Sequence, residues 1–293
     1  MRVHVRVPAT SANLGPGFDA LGLALGLYNE VTAEEADTVT VKLEGEGVGR
    51  LPANRDNVVA RGVRQAYEAA ARPFRGVALT CVNRVPTARG LGSSAAAWVG
   101  GLVAGNALLG APLSREALLV LAARAEGHPD NVAAALYGGF VICADGRAER
   151  FDPPPELEGV VAIPPHEVPT AEARAALPAE IPIEDAVHNV AHASLLALGL
   201  ARADFDLVAR GLSDRIHQPR REGLYPRSME LLRMARELGA LGATISGAGP
   251  AVLFWSHFEQ TGSLYDELHA EAPDCKVRRV QFDPSGADVR ALA

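Results

Sequence analysis

Val77-Ala-Leu-Thr-Cys-Val-Asn-Arg-Val85 runs straight into Pro86-Thr-Ala-Arg-Gly-Leu-Gly-Ser-Ser-Ala-Ala-Ala97. The first segment is apolar and rich in β-branched residues, so it reads as a strand. The second is a loop, Pro86 to Gly92, followed by a helix that opens at Ser93 or Ser94 and ends near Gly110, with Pro112 just past it. Glycines at 90 and 92 let backbone approach a ligand closely. The free N–H groups of the helix start and the helix dipole then favour an anion. A serine hydroxyl there can also reach a metal riding on a phosphate. A plainer reading makes Ser93 or Ser94 an ordinary N-cap. The loop also matches a loose dinucleotide fingerprint. That motif needs an acidic residue about 20 positions on, where this chain has the helix–helix joint Gly110-Ala-Pro-Leu-Ser114. The lysine of a P-loop is missing after Gly92, and there is no G-x-S-x-G nucleophile turn.

Working outward, Arg2 to Val7 alternates and ends at Pro8, a strand, and a polar loop follows from Ala9 to Asp19. Leu21 to Val31 and Val39 to Leu43 read as strands, and Asp56 to Ala71 as a helix. Beyond the central helix, Ser114 caps a helix running to Glu126. Asp130 or Asn131 caps a short third helix, and Phe140 to Phe151 forms a hairpin turning at Asp145-Gly146. Asp152-Pro-Pro-Pro155 reads as a linker, which divides the chain into domains 1–153 and 154–293. The second half opens on a strand at Val160–Ile163. Helices follow near Thr170–Leu177, Ile183–Leu200, Asp204–Ile216 and Pro226–Leu238. Strands flank a Gly loop at 247–249, and a helix and a last strand, Lys276–Phe282, close the chain. This order predicts α+β architecture in both halves.

The 293 residues suit two domains. A net charge of −7 argues against a nucleic-acid partner, which needs a basic face. Cys81, Cys143 and Cys275 are far apart and predict small core residues rather than a disulfide framework or zinc site. Met1-Arg-Val-His-Val-Arg-Val-Pro-Ala-Thr10 lacks the apolar core of a signal peptide, and the uncharged stretch Ala95–Leu113 is read as a buried helix rather than a membrane span. The expected compartment is the cytoplasm, with no membrane partner.

Other polar clusters stand out. Glu126 falls at a helix C-terminus, where the dipole disfavours a carboxylate unless something such as Mg²⁺ compensates. His128, Asp130 and Asn131 follow within five residues. Asn13 and Asp19 lie in a Gly-rich loop and suit a polar substrate, with Asp19 taking an ammonium; a tight turn is the bland alternative. Gly247 and Gly249 sit between two apolar strands and form either a hairpin turn or a backbone cover for a phosphate. Arg174, Arg220 and Arg221 are candidate carboxylate forks.

Three Gly-rich loops in this order resemble the GHMP kinases, whose ATP-binding signature is similar to Val85-Pro-x-x-x-Gly-Leu-Gly-Ser-Ser-Ala-Ala96. Within that superfamily the chain resembles the homoserine kinases. The marks are Pro8-Ala-Thr-Ser-Ala-Asn-Leu-Gly-Pro-Gly-Phe-Asp19, Glu126-Gly-His-Pro-Asp-Asn-Val132 and Gly242-Ala-Thr-Ile-Ser-Gly-Ala-Gly-Pro250. The resemblance implies a two-domain fold, with an N-terminal ribosomal-protein-like βαβ domain and a ferredoxin-like C-terminal domain. It implies ATP and Mg²⁺ as cofactors, L-homoserine as the small-molecule substrate, and a possible homodimer. Pro86, Thr87, Ala88, Arg89, Gly90, Leu91, Gly92, Ser93, Ser94, Ala95 and Ala96 would then cradle ATP, with Asn57 near the adenine. Ser94 and Glu126 would hold Mg²⁺. Asn13, Asp19, His128, Asp130, Arg174, Arg221, Gly247 and Gly249 would line the amino-acid pocket, with Asn131 and Asp130 nearest the reacting hydroxyl. Register from the preceding Gln-Pro favours Arg221 over Arg220. Other sugar or mevalonate kinases, and a nucleotide-binding regulator without catalysis, are the competing expectations.

Overall fold

The computed structural model describes residues 1–292. It opens on β1 (Arg2–Ala12), where Val3, Val5 and Val7 are buried between more exposed neighbours, the period of a half-buried strand. Pro8 does not end this strand. The register to β2 (Leu21–Glu35) shifts between Pro8 and Ala9, a bulge that tolerates the missing N–H, and antiparallel pairing resumes as far as Ala12 and Gly22. Ala9 to Ala12, expected in a loop, therefore lie on a strand.

β3 (Thr40–Gly45) and β4 (Val77–Asn83) run parallel, and α1 (Val58–Ala69) makes the crossover that a parallel pair requires. α2 (Ser93–Leu108), α3 (Arg115–Glu126) and α4 (Asp130–Tyr137) follow. Then β5 (Phe140–Ala144) and β6 (Arg147–Phe151) form a hairpin whose two turn residues, Asp145 and Gly146, both have positive φ. α2 has no polar face: most of its residues from Ala95 to Leu108 are buried. It lies so close to α1 that a Cβ on Gly101 would sit 2.3 Å from the Val59 carbonyl oxygen. The lack of charge in this stretch reflects burial on all sides. Among the described residues no helix is long and apolar enough to cross a membrane.

The second sheet comprises β7 (Leu157–Ile163), β8 (Gly242–Ile245), β9 (Val252–His257) and β10 (Lys276–Gln281). Between β7 and β8 run α5 (Thr170–Ala175), α6 (Ile183–Arg202), α7 (Phe205–Gly211), a 3-10 helix (Pro219–Leu224) and α8 (Pro226–Met234); α9 (Thr261–Glu271) joins β9 to β10. The spatial order β10-β7-β9-β8, all antiparallel, is the order of a ferredoxin-like sheet. α7 stops at Gly211 rather than Ile216. Gly211 packs against the Leu196 backbone, and from Asp214 onward backbone N–H groups turn to that carboxylate instead of continuing the helix.

β10 does not close the chain. β11 (Asp288–Leu292) returns to the first sheet and pairs antiparallel with β1, Arg2 opposite Leu292. A cut at 153/154 therefore falls between β6 and β7, in different sheets, but does not split the chain into two consecutive units. An apolar cluster spans both halves, with Leu23, Leu25 and Phe140 packed against Leu157, Leu196, Leu253 and Trp255. Cys81 and Cys143 lie on core strands. Cys275 lies just ahead of β10, and all three are buried free thiols.

Candidate active site

β4 delivers the chain to Pro86, and the loop then takes positive φ at Ala88, Gly90 and Gly92. Gly92 itself is the N-cap of α2, and no side chain bonds the first turn. Neither Ser93 nor Ser94 is a cap, so that reading is set aside. The first-turn N–H groups are left without a side-chain partner where the loop lines a cleft. The glycines are sterically required. A Cβ on Gly90 would lie 2.1 Å from the Ser246 carbonyl oxygen, and one on Gly92 would lie 1.9 Å from Thr10 Oγ1.

Ser94 Oγ donates to Glu126 Oε2 at 2.8 Å. Gly127, left-handed at the end of α3, lets the chain turn directly after Glu126. Partial burial pushes the Glu126 carboxyl above its usual range, against the Ser94 hydrogen bond that pulls it down. A hydroxyl and a half-buried carboxylate side by side are hard oxygen donors, and they fit Mg²⁺. Among the described residues no group of three or more His, Cys, Asp or Glu could hold a metal.

Asp130 was expected as a possible N-cap, yet Pro129 is the cap of α4 and Asp130 is its first residue. Its carboxylate, 1% exposed, accepts from the Asn131 N–H at 2.7 Å and pairs with His128 Nδ1 at 2.7 Å. Burial lowers the His128 pKa, but the Asp130 hydrogen bond and charge, with the Glu126 charge, outweigh it and hold the imidazole above its ordinary value. Asn131 Oδ1 accepts from Thr10 Oγ1 at 2.7 Å, which ties α4 to β1.

At the other end of the cleft, Arg174 on α5 makes a bidentate pair with Asp19, 2.9 and 2.6 Å. Arg221 on the 3-10 helix is buried, and its Nε donates to the Ala173 carbonyl at 2.8 Å. Arg220 points away, to Asp185 at 2.9 Å and to the Ile216 carbonyl at 3.0 Å. The three Gly-rich loops dock on one another. Asn13 Nδ2 donates to the Gly247 carbonyl at 2.8 Å, the Gly247 N–H to Ala12 O at 3.0 Å, and Ser246 Oγ to Gly90 O at 2.7 Å. The cleft is thus held by hydrogen bonds to backbone carbonyls between the two halves of the chain.

A family described as GHMP kinases N terminal domain matches residues 57–139, and one described as GHMP kinases C terminal matches residues 196–274. Homoserine kinase of Moorella thermoacetica is 46% identical over 253 residues, 85% of this chain and 86% of that protein. The chain belongs to the homoserine kinases of the GHMP kinase family. Homoserine kinase of Deinococcus radiodurans is 45% identical over 270 residues, covering 90% of this chain and 88% of that one. A crystal structure of homoserine kinase from Cytophaga hutchinsonii superimposes with a TM-score of 0.89 at 31% identity, over 99% of this chain and 97% of that one. The two-domain α+β fold is accordingly that of the GHMP kinases, and the protein is an ATP-dependent kinase.

In this GHMP kinase the cleft gathers Asn13, Asp19, Pro86, Ala88 to Ser94, Glu126, His128, Asp130, Asn131, Arg174, Arg221 and Gly247. Five residues expected at the site do not line it. Thr87 faces Arg50 at 3.0 Å. Ala95 and Ala96 are buried in the core. Gly249 packs on Tyr225. Asn57 is consumed as the N-cap of α1, with Oδ1 accepting from the Val59 N–H and Nδ2 donating to the Pro52 carbonyl. Sequence reasoning missed Phe18, Thr170 and Ala248. Phe18 adjoins Asp19 and lies 5.6 Å from both the Arg174 and Arg221 guanidinium carbons. An aromatic next to the candidate acid was the available signal.

Proposed function

We propose that the protein transfers the γ-phosphoryl group of ATP to the side-chain hydroxyl of L-homoserine, giving O-phospho-L-homoserine for threonine synthesis. The observation that carries this reading is a single cleft with an open helix start at Gly92–Ser94 on one side and the Arg174–Asp19 pair beside Arg221 on the other. An amino acid brings both charges. Its ammonium can take over Asp19 and its carboxylate Arg174 and Arg221, so no charge is left unmatched in a low-dielectric pocket. Mevalonate, with a carboxylate alone, leaves Asp19 without its cation.

Phosphoryl transfer rests on positioning and charge stabilisation. The Gly90–Ser94 loop cradles the phosphates with backbone N–H groups and the α2 dipole. Ser94 and Glu126 would hold Mg²⁺, which when bound neutralises charge on the phosphates. Asn13 fixes the Asp19 backbone, its Oδ1 accepting from the Asp19 N–H at 3.0 Å. Asp130 and Asn131 orient the substrate. Asp130 serves as a substrate contact first, since its carboxylate is already held by His128 and the Asn131 N–H.

An ADP-release assay with Mg²⁺-ATP, comparing L-homoserine with mevalonate, galactose and L-threonine, tests the reading. Turnover with homoserine well above the others is the expected result. No turnover with homoserine, in a preparation that binds ATP, overturns it.

A further inference from the structure

Among the described residues Arg221 is a buried guanidinium with no carboxylate at ion-pair distance. Nε donates to the Ala173 carbonyl, Nη1 lies 3.3 Å from His217 Nδ1 and more distantly 3.5 Å from the Gly247 carbonyl, and the guanidinium adjoins the Tyr225 hydroxyl. The contact with His217 is the informative one. His217 is completely buried, and its Nε2 lies 2.8 Å from the Gly15 carbonyl oxygen. A carbonyl only accepts, so Nε2 carries the proton and Nδ1 presents a lone pair to Arg221. Burial pulls the His217 pKa down and the Arg221 charge acts in the same direction, while Asp214 opposes them; the ring is held neutral.

The turn bearing His217 is itself clamped. The Asp214 carboxylate accepts from the N–H groups of Ile216 at 2.8 Å, His217 at 3.1 Å and Gln218 at 2.7 Å, and from Asn189 Nδ2 at 2.7 Å. The ring also lies 5.6 Å from Phe18, on the loop that carries Asp19. His217 therefore links that loop, through Gly15, to the guanidinium on the 3-10 helix. The charged groups that face it are Asp214 on its own turn, Arg221 on the 3-10 helix and Asp19 on the N-terminal loop.

We propose that His217 is a positioning residue: its Nδ1 lone pair orients the Arg221 guanidinium toward the substrate carboxylate, and so sets affinity for the amino-acid substrate. This rests on the reading of Arg221 given under Proposed function. Protonation of the ring would replace the lone pair with a second N–H facing a cation. Homoserine affinity should then fall as pH drops below the ordinary imidazole range of about 6.5.

The test compares wild type, His217→Leu and His217→Gln on L-homoserine and on its α-carboxamide, with thermal unfolding as a control. Leu has no acceptor. It should raise the homoserine KM by roughly 10-fold or more, the loss expected for one charge-assisted hydrogen bond, with the ATP KM unchanged. Gln can accept through Oε1 and should restore the homoserine KM to within about 3-fold of wild type, with the acid-side rise in KM abolished. On the carboxamide, wild type and Leu should be alike, because the group that Arg221 grips is gone. Equal losses for Leu on both substrates, or an unmoved homoserine KM, overturn the proposal. Should Leu fail to fold, the wild-type and Gln pH profiles decide: an acid-side rise common to both overturns it. Failure of the underlying reading looks different, since wild type itself would then either not phosphorylate homoserine or not distinguish it from the carboxamide.

Discussion

Glu126 and Asp130 carry different burdens although they stand four residues apart. Glu126 is half-buried with a serine hydroxyl as its partner. Glu126→Gln keeps an acceptor for Ser94 and removes a carboxylate that its surroundings disfavour. Melting of the metal-free protein at neutral pH should be unchanged or higher, while kcat/KM falls by at least about 100-fold and the response to Mg²⁺ is lost. A lower Tm with the Mg²⁺ response intact would remove Glu126 from the metal site. Asp130→Asn leaves an acceptor for the Asn131 N–H but removes the charge facing His128. It should raise the homoserine KM by roughly 10- to 100-fold, the cost of a charged hydrogen bond, with a much smaller change in kcat. A collapse of kcat at constant KM in steady-state kinetics would instead make Asp130 a general base for the substrate hydroxyl. At this scale much of the candidate cleft was legible, because the residue types state their chemistry: a Ser beside two glycines, a Glu at the wrong end of a helix, two spaced arginines. Asn57 was not, since an Asn that caps and an Asn that binds look the same until its two hydrogen bonds are seen.

At the scale of elements, the helix start at α2 is where local rules gave the wrong cap. Serine is a good N-cap, and the pattern offered two. Gly92 took the position because the approaching β1, through Thr10, leaves no room for a side chain there. Which strand lies against the loop is a long-range fact that local propensity does not contain. The same blindness shortened β1 at Pro8, where a bulge, not a strand end, accommodates the ring. Gly92→Ala must accept a left-handed φ, costing about 1–2 kcal/mol, and must also displace Thr10, whose hydroxyl holds Asn131. Calorimetry should show a Tm lower by several degrees, and kinetics a raised KM for ATP together with a lower kcat. A variant with wild-type Tm and ATP KM would show that neither the left-handed cap nor the contact with Thr10 matters.

Over the whole molecule, alternating patterns and Gly-rich loops made the two sheets and their order along the chain legible, but not the destination of the last strand. Asp288–Leu292 has no strong strand signal: Val289 and Leu292 are themselves well exposed, and the segment is recruited by pairing rather than by an apolar face. The isolated segment 1–153 therefore lacks its edge strand, along with the apolar partners Leu157, Leu196, Leu253 and Trp255. Expressed alone it should self-associate through the bare edge of β1, which light scattering would reveal. A monomeric, cooperatively melting fragment would show that β11 and the shared cluster are dispensable to it.

That returning strand also bears on how the protein is made. On the ribosome the chain emerges at about 5–20 residues per second, so β1 must wait on the order of tens of seconds for its neighbour, until residues 288–292 have been synthesised. During that interval Arg2–Arg6 present open backbone donors and acceptors to any other nascent strand in the vicinity. Arg2, His4 and Arg6 alternate with the valines along this edge, and charge on an exposed strand discourages pairing with a stranger. The polar half of β1 thus has a task during synthesis that the finished fold no longer displays.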